Sequence, residues 1–527
     1  MRILLPIVLG LALNAQNVPY QRILDAAKEP ANWLTYSGNY NGQRHSRLDL
    51  INTGNVKRLK VAWVHNAGGT ESYQATPIVV DGVMFLTEGP NVVKSLDTRT
   101  GTLLWRYEKK IPSDLRLCCG RPNRGVAILG DTVYYGSIDA HLLALDARTG
   151  RLKWDVEMAD YKLGYSSTVA PLAVKDKIIL GVAGGEFGIR GFIDAYNAKT
   201  GKRDWRFYTV PGPGDPDFGT WEGDSWKIGS GSVWTTGSFD PESNTTIWGI
   251  GNPGPDWNGD VRKGDNLYSC SFLAIDVDTG KKKWHFQFTP HDTHDWDATQ
   301  VPVLFDGKFR GAPMKMVATA NRNAFFYVLD RTNGKFLAGK PFVKQTWAKG
   351  LDDSGRPVVI PGTEPTEAGN LVWPSLGGGT NWASPSYSPL TNLFYAPVRE
   401  QGAYYFKGEA DYKPGVIFNG GGQRMKPDEQ PYGAIRALDP ETGNLKWEFR
   451  TQNPLNVGVL TTRGNLLFSG TGQGDFFALN ATTGELLWRF RTNGGLNAAP
   501  MTYAVDGRQY VAVPIGQALF VFELMEN

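Results

Sequence analysis

The chain has 527 residues, among them 63 glycines and 32 prolines, about 18% of the whole against roughly 12% in average proteins. Hydrophobic content of 41% beside 20% charged residues excludes a disordered chain. With 55 basic against 52 acidic residues the net charge is +3, which excludes a nucleic-acid binder built on a basic face. Turn formers in this number, with 17 tryptophans, predict short antiparallel strands rather than helices.

At the N-terminus, Arg2 precedes an apolar run from Ile3 to Leu13, and small Ala15 follows. The run is too short to span a bilayer, and it reads as a secretory signal peptide over 1–15, with the mature chain at 16–527. The plainer alternative is a buried N-terminal strand. No cysteine stands near the expected cut, so a lipid anchor is not expected and no later stretch predicts a transmembrane segment. Export to the periplasm, an oxidising compartment, is the expectation.

One phrase then recurs: a small residue, an apolar residue, Asp or Asn, two variable residues, Thr-Gly, and Trp four positions on. It runs from Ser95-Leu96-Asp97 to Gly101 and Trp105, from Asp146 to Gly150 and Trp154, from Asn197 to Gly201 and Trp205, and from Asp276 to Gly280 and Trp284. A weaker copy, Asp330 to Gly334, has Leu337 near the tryptophan position. Asp439 to Gly443 and Trp447, then Asn480 to Gly484 and Trp488, complete the series. The glycine intervals are 49, 51, 79, 54, 109 and 41 residues, and degenerate Tyr387 to Asn392 falls inside the longest. Each phrase reads as a hairpin turn, with Asp or Asn opening it and Gly at positive φ. A period near 50 predicts four-stranded units stacked radially, with each Trp buried between neighbouring sheets. Seven phrases and one inferred copy predict an all-β, eight-bladed β-propeller with tryptophan-docking repeats. Pro/Gly-rich excursions at 211–232 and 400–432 are too long for hairpin loops and are expected to shape one mouth of its channel.

Of three cysteines, Cys118 and Cys119 are adjacent and Cys270 is alone, and no C-x-x-C-H haem motif occurs. Adjacent Cα atoms lie ~3.8 Å apart, below the ~4.4–6.8 Å usual for a bridge. Taken alone the pair reads as a buried dithiol. A bridge would close an eight-membered ring, a flat and rigid platform.

The segment Leu117-Cys118-Cys119-Gly120-Arg121-Pro122-Asn123-Arg124-Gly125 resembles the signature of the pyrroloquinoline-quinone (PQQ) dependent alcohol dehydrogenases, the methanol and ethanol dehydrogenase type, without a haem domain. The tryptophan phrases are similar to that family's docking motifs. The likeness continues in order through Gly184-Gly185-Glu186-Phe187-Gly188, Gly251-Asn252-Pro253-Gly254-Pro255, Thr289-Pro290-His291-Asp292 to Asp297, and Asn321-Arg322-Asn323. PQQ is a flat ortho-quinone with three carboxylates, so its site needs two covering faces, cations or donors, and a metal. The resemblance implies a Cys118–Cys119 disulfide on one face, Trp234 on the other, and Arg124 gripping a carboxylate. Glu71, Ser137, Gly184, Gly185, Arg322 and Asn381 match further cofactor contacts. Plain alternatives are a blade-docking role for Trp234, a surface arginine for Arg124, a blade salt bridge for Arg322 and a strand-end serine for Ser137.

Glu186, Asn252 and Asp295 match the family's oxygen ligands for a hard cation such as calcium. In Asp295-Trp296-Asp297, alternate residues of an extended segment would point the same way, so Asp297 is an added ligand. Three carboxylates and one from PQQ favour a lanthanide(III) over Ca2+, although quinoprotein glucose dehydrogenases with divalent metals share the Asp-x-Asp spacing. His291 and His294 invite zinc, but oxygen ligands dominate. The resemblance further implies Asp295 as general base, hydride transfer from the alcohol carbon to PQQ, Arg322 stabilising charge on the quinone oxygen, and a periplasmic cytochrome c as electron acceptor.

Two departures stand out. Ala183 replaces a usual serine near a PQQ carboxylate, and Asn456 replaces a tryptophan common near the active site, which predicts a wider or more polar substrate pocket. The expected function is oxidation of an alcohol to an aldehyde or ketone. A quinoprotein sugar or polyol dehydrogenase is the nearer alternative. A non-catalytic propeller scaffold is the remoter one, since it would keep the repeats and lose Cys118, Cys119, Trp234, Asp295 and Arg322.

Overall fold

The structure, a computed structural model, describes residues 17–68, 73–89 and 91–526. The expected signal segment 1–15 and Glu71 lie outside the described residues. Among the described residues the chain folds into seven four-stranded sheets and one five-stranded sheet, with a two-stranded and a three-stranded sheet as insertions. The first large sheet shows the pattern: Ile78–Val80, Val83–Glu88, Val92–Asp97 and Leu103–Glu108 pair antiparallel in chain order. Equivalent sheets follow over 127–157, 172–208, 238–287, 303–341, 386–451 and 460–491. The last takes three strands from 501–524 and its fourth from Leu59–Asn66, which pairs with Ala518–Leu524 and so joins the two ends of the chain.

The repeated phrase forms the third hairpin in seven of the eight large sheets. Asp146 Oδ1 accepts from the Thr149 amide at 2.9 Å and its hydroxyl at 2.7 Å, and the Gly150 amide donates to Asp146 O at 2.8 Å. Gly150 has φ 71°, and a Cβ there would stand 2.5 Å from the Trp105 ring, so only glycine satisfies both the turn and the approach. The Trp105 indole N–H donates to Ala147 O of that same turn at 2.9 Å. Thus the tryptophan docks onto the turn of the following sheet. Trp154 does so on Gly201 and Ala198 O, Trp205 on Gly280 and Val277 O, Trp284 on Gly334 and Arg331 O, and Trp447 on Gly484 and Ala481 O. At the weaker copy, which has Leu337 for Trp, the nearest side-chain atom to a Cβ at Gly443 is Lys340 Cβ instead of an indole.

Two sequence expectations are corrected. The 109-residue interval holds no degenerate phrase: Tyr387 to Asn392 is the first hairpin of the sheet over 386–451, and the extra length is the insertions at 348–372 and 403–425. The eighth large sheet is the one closed by the chain ends, and its tryptophan is Trp63, whose indole docks on Gly101 and donates to Thr98 O at 3.1 Å. Its phrase is split between the termini and so leaves no continuous motif.

Candidate functional site

A cavity of about 600 Å³ opens where the sheets present their first strands. Its lining follows a rule: every large sheet contributes a residue from the segment just before its first strand. In chain order these are Gln74, Arg124, Thr168, Trp234, Asp297, Asn381, Asn456 and Asn497. A second set, Gly184, Glu186 and Arg322, comes from connections between second and third strands of two sheets. The insertion at 403–425 reaches over this end and adds Gln423 and Met425, and the Phe418 amide donates to Glu186 O at 2.6 Å. That agrees with the mouth-shaping role expected of 400–432.

Cys118 and Cys119 are joined by a disulfide with Cα atoms 3.8 Å apart, and Cys119 holds φ 63°. The disulfide and Trp234 line the same cavity. Arg124 is buried beside them. Its Nη1 donates to Thr168 Oγ1 at 2.9 Å and to Trp234 O at 3.2 Å, and its guanidinium lies 4.8 Å from the Trp234 ring and 4.9 Å from Trp382. Among the described residues its Nε has no partner, and burial pulls its pKa down to about 10. A buried cation with only neutral acceptors and an unused donor is a receptor for an anion. An anionic planar group between a disulfide and an indole fits these residues.

The acidic side of the cavity centres on Arg322, the guanidinium of which spans both aspartates: Nη1 stands 3.5 Å from Asp295 Oδ1 and Nη2 3.0 Å from Asp297 Oδ2. Nη1 also donates to Asp295 O at 2.7 Å, holding Asp295 at φ 58°, a left-handed conformation that is costly for a residue with a Cβ. The two carboxylates do face one group, but through this bend rather than through an extended segment. Burial and then Asp297 push the Asp295 carboxyl well above the usual range, against Arg322. Burial and Asp297 likewise raise Glu186. Burial opposes the charge on Arg322, and Asp297 and Asp295 more than restore it.

Asn252 approaches from behind. Its amide N–H donates to Asp297 Oδ1 at 2.7 Å, and its side-chain NH2 donates to Asp256 Oδ1 at 2.7 Å. Asp256 is buried, and burial and Glu186 raise it well above the carboxylate range. Four carboxylates thus crowd one region, with Arg322 beside Asp295 and Asp297 and Arg262 acting on Asp256. Such a donor set suits a hard cation, the charge of which would favour the ionised forms. Among the described residues, the trio of candidate ligand groups whose atoms lie within 4.8 Å of one another is Cys118, Cys119 and Glu186, with both sulfurs tied up in the disulfide. The aspartates instead pair with Arg322. Neither histidine joins them: His291 Nδ1 contacts Gly264 O and His294 Nε2 contacts Thr363 O, both at 2.9 Å.

Of the residues expected from sequence, Cys118, Cys119, Arg124, Gly184, Glu186, Trp234, Asp295, Asp297, Arg322 and Asn381 line the one cavity. Asn381 Oδ1 accepts from Arg322 Nη2 at 3.1 Å. Gly184, at φ 113°, approaches Gly164 O so closely that a Cβ would stand 2.0 Å from it, and Gly185 supports the Glu186 turn without lining the cavity. Ser137 is placed elsewhere: it ends a strand, is fully buried, and donates its hydroxyl to Asp139. The threonine hydroxyl at the cavity is Thr168. Sequence reading also missed Trp382, Asp256 and Arg399. Trp382 and Thr168 share the detectable signal, a position a few residues before a first strand.

The family model described as glucose/ethanol/alcohol dehydrogenase, beta-propeller domain, matches residues 33–344, and one described as outer membrane protein assembly factor BamB matches 432–522. The chain is 43% identical to the quinoprotein alcohol dehydrogenase PedH of Pseudomonas putida, over 95% of this chain and 88% of that protein. It is 38% identical to a quinoprotein ethanol dehydrogenase of Pseudomonas putida, over 97% and 90%. A solved europium-containing methanol dehydrogenase superposes with a TM-score of 0.92 at 33% identity, covering 96% of this chain and all of that one.

Proposed function

The chain belongs to the PQQ-dependent quinoprotein alcohol dehydrogenases, and from that premise we propose that it is a periplasmic eight-bladed propeller enzyme that oxidises a primary or secondary alcohol to an aldehyde or ketone. Its electrons would pass to a cytochrome c. The chain-closing sheet, and the one cavity residue from each of eight large sheets, support a ring of eight blades around the site.

The observation that carries the reading is the shared cavity: the vicinal disulfide, the Trp234 indole, a buried Arg124 with only neutral acceptors among the described residues, and the Asp295–Arg322–Asp297 cluster all face it. Cys118–Cys119 and Trp234 would hold the faces of PQQ, and Arg124 with Thr168 a carboxylate. Glu186, Asn252, Asp295 and Asp297 would hold the metal, for which the carboxylate count favours a lanthanide(III) over Ca2+. Bound there, PQQ supplies the two-electron acceptor and the metal its Lewis acidity. Asp295 takes the proton of the substrate hydroxyl at its carboxylate, and Arg322 orients that carboxylate while stabilising negative charge in the cavity. The polar wall made by Asn456, Arg399 and Gln423 favours a larger or more polar alcohol, and with it the sugar or polyol reading, over methanol.

The test is a dye-linked oxidation assay of the purified protein over alcohols and polyols, with PQQ quantified by absorbance after denaturation. Near one PQQ per chain and PQQ-dependent turnover support the reading. Protein that takes up no PQQ under any metal sinks it.

A further inference from the structure

Arg399 is the penultimate residue of the strand Leu393–Glu400 and lines the cavity wall. Its Nη1 reaches Asn456 Oδ1, and Leu455 O at 3.4 Å, both neutral acceptors. Its buried Nε has no partner, and among the described residues no carboxylate pairs with it. The guanidinium lodges against Gly377, where a Cβ would stand 2.6 Å from Nε and 2.7 Å from Nη2. Any larger residue at 377 would drive the head out of this recess. The neighbouring charge is another cation, Arg322, and burial with that like charge brings Arg399 down to about 10. A guanidinium held by an asparagine in a glycine-made recess, facing a cavity that already contains two cations, lacks only its anion.

We infer that Arg399, positioned by Asn456 and Gly377, anchors a carboxylate entering this cavity, supplied either by a substrate that is a hydroxycarboxylate or by the cofactor. The inference rests on the proposed PQQ-dependent alcohol oxidation. Arg124 and Arg322 have other partners, Thr168 and the aspartates, so the third guanidinium adds a subsite rather than duplicating theirs.

The test compares holoenzyme with Arg399→Gln, Arg399→Lys and Gly377→Ala, reading PQQ content after gel filtration and inhibition of 1-butanol oxidation by butanoate at fixed ionic strength. If a substrate carboxylate is the guest, butanoate competes in the wild type, and Arg399→Gln raises its inhibition constant about tenfold or more with PQQ content unchanged. Lys then recovers part of the loss. If a cofactor carboxylate is the guest, Arg399→Gln loses PQQ instead, and butanoate is a poor inhibitor throughout. Gly377→Ala, which displaces the guanidinium without removing it, moves the same readout and covers a glutamine variant that fails to fold. Unchanged PQQ content together with unchanged butanoate inhibition in the variants overturns the inference. Wild-type protein that holds no PQQ and oxidises no butanol overturns the functional reading instead.

Discussion

The Trp234 indole N–H donates to Asp297 Oδ2 at 3.2 Å, so the ring that walls the proposed cofactor slot also holds a carboxylate of the acidic cluster. Asp297 takes further contacts from the Asn252 amide and from Arg322. One side chain therefore ties the slot, the cluster and the cation together, and a change at Asp297 should be felt in all three.

Asp297→Asn removes one negative charge while keeping an acceptor for Trp234. Binding of terbium(III), followed by luminescence sensitised from nearby tryptophan, should weaken at least about tenfold, and calcium binding by less, because the trivalent ion gains most from each carboxylate. An equal loss for both ions would place Asp297 outside the ligand set.

Arg124→Gln should release PQQ. A charge-assisted bond to a carboxylate contributes roughly 1.5–3 kcal/mol, or about ten- to a hundredfold in affinity. Titration of apoprotein with PQQ, followed by quenching of tryptophan fluorescence, reads this directly. Wild-type affinity in the variant would leave Arg124 as a structural arginine over Trp234 and Trp382.

Trp105→Ala should destabilise the fold by about 3–5 kcal/mol, since it removes a buried indole from between two sheets. Trp105→Phe keeps the ring contact with Gly150 and loses only the bond to Ala147 O, at a cost of about 1 kcal/mol. Urea denaturation midpoints separate the two. Equal losses would show that the docking tryptophan acts through its N–H alone.

Glu88, buried against Lys94 and 2.9 Å from His65, gives a pH prediction. Burial raises its carboxyl, but His65 and Lys94 outweigh it, so the folded value lies below the ordinary 4.5. A lowered folded value means the stabilisation is present above pH 4.5 and is lost as pH falls through the folded value. Glu88→Gln should cost about 3 kcal/mol at neutral pH by leaving Lys94 without its anion, and the gap to wild type should narrow in acid. A gap independent of pH would remove Glu88 as the source.

The sheets were legible in the sequence because the turn phrase is local: Asp, Thr-Gly and Trp lie within ten residues and each has its own steric reason. The closing sheet was not, because its strands come from Leu59–Asn66 and 501–524 and its docking residue Trp63 precedes the first full phrase. At the site, Arg124, Trp234 and the Asp295 and Asp297 pair were readable through motif order. Asp256 and Arg399 were not, since neither stands in a recurring pattern: Asp256 takes its role from the Asn252 side chain and Arg399 from Asn456, 57 residues away. Ser137 illustrates the converse: a hydroxyl at about the right place in the sequence satisfies Asp139 two residues on. The bend at Asp295 was invisible for the same reason, being imposed by Arg322.

The most direct measurement is dye-linked alcohol oxidation by apoprotein reconstituted with PQQ and either lanthanum or calcium. Turnover should require both PQQ and a metal, with lanthanum the better of the two, and should be lost in Asp295→Asn. No turnover and no bound PQQ with either ion, or turnover independent of PQQ, would contradict the proposed function.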